Sequence, residues 1–243
     1  MYFNMNMKKK GFSLVELLIA MAVGLVIMAA VYGVMNTAQL SSASIGRKVL
    51  TQQDARTVLY LMAMEIRMAS YNPTMSQTIW STIPTGTCNS MGNVVPVPAH
   101  KGIQTANANT ILIAMDLNNP PIIPAVIGDV VNEYIEYSYN GVDTINRNVS
   151  CGGDQTILGG AGSSTMVKNN ETVPVTPLFQ YFDESGTTDI TAAVVATPDV
   201  SIRLIRRIRI NIVADVETQG SSFNVSRRTY TTDVLVKNHV VSP

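Results

Sequence analysis

The chain has 243 residues, of which 46% are hydrophobic and 14% are charged, and its formal net charge at pH 7 is zero. This length allows one sizeable domain and an extended segment, and the composition is apolar for a freely soluble protein. Without the lysines at positions 8, 9 and 10 the chain would carry 14 basic against 17 acidic side chains, so its overall charge gives no case for nucleic-acid binding.

An apolar run from Phe12 to Met35 follows these lysines, and Glu16 is the only charged residue in it. A helix of this length rises about 36 Å, which is enough to cross the hydrocarbon core of a bilayer. Because positive residues before a membrane segment tend to stay in the cytoplasm, the pattern predicts a single pass with a cytoplasmic N-terminus and the large domain outside the cytoplasm.

Three kinds of segment compete to explain this run. A secretory signal peptide has an apolar core of about 7–15 residues, and the run is longer. A plain anchor does not explain a carboxylate in the first turns, which costs about 2.5–3.5 kcal/mol in a membrane helix. Cleavage between Gly11 and Phe12 would give Glu16 a partner, because the new α-amino group of Phe12 is a cation in the same apolar layer. In a bundle of such helices this pair would set the axial register between neighbours.

Residues 11–18, Gly-Phe-Ser-Leu-Val-Glu-Leu-Leu, resemble the prepilin motif of type IV pili and type II secretion pseudopilins. The resemblance implies cleavage after Gly11 by prepilin peptidase, N-methylation of Phe12 and assembly guided by Glu16. It also implies that the protein lies in the inner membrane with a periplasmic C-terminal domain, and that it later reaches a pilus at the cell surface.

Helical spacing of apolar residues continues beyond the membrane segment and predicts one long helix that ends by Asn72-Pro73, with a weak point at residues 41–46. We therefore divide the chain into four parts. These are a leader (1–11), a transmembrane or filament-core half of the helix (12–35), an amphipathic half (36–72) and a β-rich periplasmic or extracellular domain (73–243).

Residues 73–109 are rich in Thr, Asn, Pro and Gly and predict a long loop region with little regular structure. This region contains Cys88, and the only other cysteine is Cys151. An even pair of cysteines in an oxidising compartment commonly forms a disulfide, and the alternative is two buried free thiols. His100 has no metal-ligating companion at a useful spacing, so we expect it at the surface.

Several segments predict strands of an antiparallel sheet. Thr110–Met115 is the first, and Val130–Tyr139 leads through Asn140-Gly141, a type I′ hairpin signal, into a return over residues 142–151. The glycine-dense residues 152–162 predict a flexible connection. The clearest strand has Ile208, Ile210 and Ile212 on one face and arginines on the other, which predicts one core face and one mostly wet face.

Two weaker segments resemble PilW-like minor pilins. Phe179-x-Tyr181-x-Asp183 matches a strand motif that these proteins share with the J-type pseudopilins, and it predicts a strand, a turn at Ser185-Gly186 and a return over residues 187–191. The ending Val234-Leu235-Val236-Lys237-Asn238 is similar to their "V-x-x-R-N" close, with lysine in place of arginine.

The fold class predicted is α+β, a type IV pilin fold in which the long helix packs on an antiparallel sheet. The function predicted is that of a minor pilin of the PilW family in an initiation or tip complex, with prepilin peptidase, other minor pilins, the major pilin and the inner membrane as partners. The alternatives are a J-type pseudopilin and a displayed module that binds a surface, a sugar or DNA, although the arginines lack the interleaved aromatics that nucleic-acid binding favours. No nucleophile-base arrangement, metal-ligand spacing or cofactor fingerprint appears, so we expect neither an enzyme nor a cofactor.

Overall fold

The structure is a computed structural model that describes segments 11–73, 79–80, 87–88, 92–93, 100–117, 132–163, 165–216 and 226–239, without the side chains of residues 87, 88, 92, 93, 216 and 226. It forms two compact units, Met1–Gly46 and Arg47–Pro243. Helix α1 (Leu14–Arg67) contributes residues to both units.

The described part of the first unit consists of residues 11–13 and the beginning of α1. The helix starts two residues after the predicted start at Phe12, and the backbone N–H of Leu17 donates to the carbonyl of Ser13 at 3.2 Å. α1 continues unbroken through residues 41–46, where the sequence predicts a weak point. No proline interrupts this stretch, so every turn after the first can form its backbone hydrogen bonds.

In the second unit, one face of α1 is buried. Its buried residues recur at intervals of three and four, which places them on a single stripe of the helix; they are Thr51, Ala55, Val58, Leu59, Met62 and Ile66. The apolar members belong to one core cluster with side chains from the sheets. Fully burying a side chain of this size contributes about 1.5–3 kcal/mol, so the stripe holds α1 on the domain.

A five-stranded antiparallel sheet provides much of that core. Its strands follow one another in space in chain order: β3 (Ile103–Ala106), β4 (Thr110–Ala114), β5 (Tyr134–Tyr139), β6 (Thr144–Val149) and β7 (Asp154–Gly159). Alternate residues point to the core, and they include Ile111, Ile113, Ile135, Tyr137, Tyr139, Ile145 and Leu158. A short separate pair, β1 (Thr87–Cys88) with β2 (Gly92–Asn93), precedes this sheet in the chain.

Three predictions in this region need correction. Strand β3 lies within the predicted loop 73–109, and β7 occupies the glycine-dense stretch 152–162. The hairpin between β5 and β6 is where it was predicted, but its turn is not type I′, because Gly141 has a positive φ (79°) and Asn140 does not. Instead the side-chain carbonyl of Asn140 accepts hydrogen bonds from three backbone N–H groups that follow, at 2.8–3.0 Å.

A four-stranded antiparallel sheet completes the domain. Strand β10 (Arg207–Val216) is central; β11 (Ser226–Leu235) pairs with its full length on one side, and β8 (Thr165–Val167) and β9 (Phe179–Phe182) pair with its two ends on the other. The predicted return over residues 187–191 is only a single bridge between Phe182 and Asp189. Two short helices, α2 (Thr191–Ala196) and α3 (Pro198–Ser201), follow.

The predicted isoleucine face of β10 is confirmed, because Ile208, Ile210 and Ile212 are fully buried. The prediction that the other face is mostly wet is wrong for the second half of the strand, where Asn211, Val213 and Asp215 are also buried. Between β8 and β9 the amide of Asn169 takes the place of a strand, since its Nδ2 donates to the carbonyl of Asn211 at 2.7 Å and its Oδ1 accepts from the N–H of Val213 at 2.9 Å.

The end of α1 meets the five-stranded sheet at Ser70, which has a positive φ of 64°. Its backbone N–H donates to the carbonyl of Ala114 at 2.9 Å. Its hydroxyl accepts from the backbone N–H of Gly102 at 3.0 Å. A β-carbon at Gly102 would collide with the backbone of both Ser70 and Ala114, so the close approach of these three segments requires glycine.

Candidate functional site

The predicted cleavage point lies outside regular structure. Gly11 and Phe12 precede α1, both are exposed, and the side chain of Phe12 is 87% exposed. A β-carbon on Gly11 would meet nothing within 4 Å. A peptide bond in this setting is accessible to a protease without unfolding of the helix that follows. Cleavage and methylation at this bond remain predictions.

The N-terminal part of α1 presents an apolar surface on all sides. Every large hydrophobic residue from Phe12 to Met35 is at least 52% exposed. An 18-residue window of α1 has a mean hydropathy of 2.7, and none of that window is buried. Soluble monomers rarely expose a contiguous apolar patch of more than a few hundred Å², and a helix that is apolar all round is typical of a membrane span or of a bundle core.

Glu16 lies in the first turn of α1 and is exposed. The backbone N–H groups of a first helical turn carry partial positive charge, so this position favours a carboxylate. The pairing between Glu16 and a Phe12 α-amino group of a neighbour remains a prediction. In the isolated chain the carboxylate is available for such a partner.

In the second unit an ionic cluster fixes α1 to the sheet, and sequence reasoning missed it. Arg147 on β6 donates from Nη2 to Oε1 of Glu65 at 2.7 Å and from Nε to Oε2 at 3.1 Å. Tyr137 on β5 donates its hydroxyl to the same carboxylate. These bonds hold the pKa of Arg147 above its usual range, and burial together with Glu65 raises the pKa of Tyr137. The side chains of Glu65 and Arg147 are only 14% and 16% exposed.

The two histidines come together near the end of α1, and the predicted surface position of His100 is wrong. His100 and His239 are 2% and 0% exposed. The Nδ1 atom of His239 lies 2.8 Å from the hydroxyl oxygen of Ser70, and its Nε2 atom lies 3.0 Å from the carbonyl oxygen of Ile202. Because the carbonyl of Ile202 can only accept, Nε2 carries the proton and Ser70 donates to Nδ1.

A serine bonded to a histidine resembles the nucleophile and base of a hydrolase. Here the Ser70 hydroxyl is buried and already accepts from the N–H of Gly102. Burial lowers the pKa of His239 to about 4, far below the value near the working pH that suits a general base. The pair therefore joins the end of α1 to the C-terminal segment of the domain, and it is not arranged for catalysis.

The arginines of β10 are engaged on their own sheet. Arg207 and Arg209 each donate to Asp233 on β11, both at 2.9 Å. Arg209 and Arg207 both lower the pKa of Asp233, and Arg209 has the larger effect. The guanidinium carbon of Arg207 lies 3.8 Å from the ring centre of Phe182. Asp233 thus partly neutralises the positive charge of Arg207 and Arg209.

The remaining predicted residues carry less information. In the turn after β9, Oδ1 of Asp183 accepts from the N–H and hydroxyl of Ser185 at 3.1 and 2.6 Å, as expected for a polar turn. Within the part of the chain that is described, no group of three His, Cys, Asp or Glu residues could hold a metal ion. The disulfide between Cys88 and Cys151 remains a prediction, since the side chain of Cys88 lies outside the described residues.

Comparison with known proteins bears on the N-terminal segment. The family model described as "Prokaryotic N-terminal methylation motif" matches residues 6–32. No curated protein and no solved structure matches the chain.

The matched motif supports a type IV pilin or pseudopilin, a subunit in the assembly of a pilus or of a secretion apparatus. It implies processing by prepilin peptidase and assembly with other pilins. The long N-terminal helix packed on an antiparallel sheet domain is consistent with the α+β type IV pilin fold. The exposed apolar part of α1 fits membrane anchoring.

Proposed function

We propose that this chain is a minor pilin of the PilW type that takes part in the initiation or tip complex of a type IV pilus. One observation carries the proposal: the exposed, apolar N-terminal part of α1 begins at Leu14, two residues after the accessible bond between Gly11 and Phe12, and it has Glu16 in its first turn. The ending at residues 234–238, which is similar to the close of PilW-like proteins, supports the PilW type within the wider class.

The proposed sequence of events starts in the inner membrane. Prepilin peptidase removes residues 1–11 and the α-amino group of Phe12 becomes N-methylated. The helix then leaves the bilayer for a bundle of similar helices, which costs little because both surroundings are apolar. A subunit in the wrong axial register would leave Glu16 and a Phe12 ammonium unpaired in apolar surroundings, at a cost of several kcal/mol per ion, so the pair sets the register.

The second unit has a structural role in this proposal. The pairing of Glu65 with Arg147 and the buried stripe of α1 hold the second half of the helix on the sheets of this unit. We also propose that the protein is not an enzyme. The buried state of Ser70 and the low pKa of His239 support this part of the proposal.

The same observation supports a second candidate, a J-type pseudopilin in the tip complex of a type II secretion system. The prepilin motif and the strand motif at Phe179 are common to both. The partners separate the two candidates: cross-linking in cells would join this chain to other minor pilins and a major pilin in one case, and to secretion pseudopilins in the other.

The decisive experiment is the intact mass of the protein extracted from membranes of cells with active prepilin peptidase. Loss of residues 1–11 together with a gain of one methyl group is the expected result. An uncut N-terminus in those cells would overturn the proposal. Deletion of the gene should then abolish piliation, whereas normal pili with normal secretion would show that the chain has no role in assembly.

A further inference from the structure

Glu136 is a buried carboxylate to which the proposed function gives no role. It lies on β5 between Ile135 and Tyr137, which point to the core, so its side chain is on the opposite face of the five-stranded sheet. The residue is 1% exposed. Both carboxylate oxygens are inaccessible to water and neither has a hydrogen-bond partner, although buried polar atoms nearly always have one.

Glu136 begins a row of oxygen-bearing side chains across three strands. It pairs with Asn148 on β6, and Asn148 pairs in turn with Asp154 on β7, so the three share a face. Asn148 turns away from Glu136, because its Nδ2 donates to Oδ1 of Asp154 at 3.0 Å and its Oδ1 accepts from the N–H of Gly153 at 3.1 Å. The row therefore offers Glu136 no donor.

Arg147 is the only basic residue close to the row in the sequence. The sequence has no lysine or arginine from residue 102 to residue 146 or from 148 to 167. Arg147 points to the other face, where it pairs with Glu65. Burial and, to a smaller extent, the charge of Asp154 raise the pKa of Glu136 to about 7. An ionised carboxylate in such a place needs a cation.

We propose that Glu136, Asn148 and Asp154 form a binding site for a divalent cation with hard-ligand chemistry, for which calcium is the best fit. Glu136 and Asp154 present carboxylate oxygens, and Asn148 adds its Oδ1 when the amide turns from the N–H of Gly153 to the ion. Calcium binds carboxylate and amide oxygens at about 2.3–2.6 Å in flexible geometry. The outer strands of the row are about 10 Å apart, a distance that a glutamate, an aspartate and a cation between them can span.

The site needs only two carboxylates. Calcium takes six to eight oxygen ligands, so amide, hydroxyl and water oxygens complete the shell. Ser138 lies two residues after Glu136 on the same face of β5 and carries one such hydroxyl. With a charge of only −2 the expected dissociation constant is about 10⁻⁴–10⁻³ M, the range of calcium-binding modules that work outside cells.

The test uses the full chain in detergent, first stripped with EGTA and then titrated with CaCl₂ at pH 8 while thermal unfolding is followed. At ten times the dissociation constant the melting temperature should rise by about 3–6 °C. Absence of a calcium-dependent shift at pH 8 would overturn the proposal.

Three variants locate the site. Glu136→Gln and Asp154→Asn keep the shape of each side chain and should abolish the shift, or weaken the apparent affinity at least tenfold. Glu184→Gln removes the same charge from an exposed turn and should leave the shift unchanged. An equal shift in Glu136→Gln and in the wild type would show that calcium binds elsewhere. The measurement does not depend on processing or assembly, so its failure would leave the proposed function standing.

Discussion

Glu65 and Arg147, which are 82 residues apart in the chain, form two charge-assisted hydrogen bonds of 2.7 and 3.1 Å between helix α1 and strand β6. The hydrophobic effect that buries the apolar stripe of α1 is not directional. The guanidinium of Arg147 donates its two hydrogen bonds in a fixed planar geometry, so this contact is directional. We infer that this pair fixes the rotation of α1 on the domain.

Glu65→Gln should lower the free energy of unfolding by about 2–4 kcal/mol, since it leaves a largely buried arginine without its counter-ion. Urea denaturation in detergent measures this loss. Glu171→Gln is the matched control: it breaks exposed pairs with Lys168 and Arg227 and should cost at most about 1 kcal/mol. Equal losses in the two variants would contradict the role of Glu65.

His239 should make the domain less stable in acid. Its pKa is about 4 in the folded chain against an ordinary value of 6.5, so the unfolded state takes up the proton first as the pH falls. The contribution to stability is complete above pH 6.5 and is lost as the pH falls from there through about 4, with a total of up to about 3 kcal/mol.

The measurement is the difference in unfolding free energy between wild type and His239→Gln at pH 7.5, 5.5 and 4.5. This difference should shrink steadily towards acid. His100 faces Asp199 and Arg203, and burial lowers its pKa as well, so His100→Gln should give a change of the same sign. A difference that is independent of pH would show that His239 is not buried as the structure has it.

The ionisation of Glu136 should make the domain less stable as the pH rises, which is opposite to the effect of His239. Its folded pKa of about 7 lies above the ordinary 4.5, so the folded state holds the proton more tightly and stability is lost as the pH rises from 4.5 through 7. In EGTA, Glu136→Gln should therefore stabilise the protein at pH 8 by about 1–3 kcal/mol and have little effect at pH 4. Thermal unfolding at these two pH values tests this, and a destabilised variant at pH 8 would contradict it.

Glu16→Ala should be processed normally and yet fail to assemble, because the cleavage site precedes it and only the register pair is lost. The checks are the intact mass of the protein and its presence in sheared filaments or cross-linked complexes. Glu184→Ala, which removes an exposed carboxylate elsewhere, should leave both unchanged. Normal incorporation of Glu16→Ala would remove the register argument.

The elements that the sequence predicts well are those with a strong local pattern. The isoleucines at 208, 210 and 212 alternate without a break, and the apolar run after Phe12 has a single charge. Strand β7 was missed because Asp154, Gln155 and Thr156 are exposed, so no alternation of apolar residues marks it. The turn at Asn140 was placed correctly, but its type depends on hydrogen bonds to the asparagine side chain rather than on the residue pair.

Candidate site residues divide along the same line. Gly11, Phe12 and Glu16 could be found because the motif that identifies them is a short continuous stretch of the sequence. The environment of His239 depends on Ser70 and Ile202, which are 169 and 37 residues away. The periodicity of a single sequence cannot predict contacts between residues so far apart in the chain. The same holds for Glu136, whose neighbour Asp154 lies two strands away.

The close approach at Gly102 also has a consequence for evolution. Since a β-carbon there meets backbone atoms of Ser70 and Ala114 that cannot move aside separately, selection should reject every substitution at this position, including alanine. Distant relatives whose surface loops have diverged beyond recognition should then retain glycine here. A saturation-mutagenesis library would show position 102 as one of the least tolerant in the domain, and homologues could be aligned on it where overall similarity has faded.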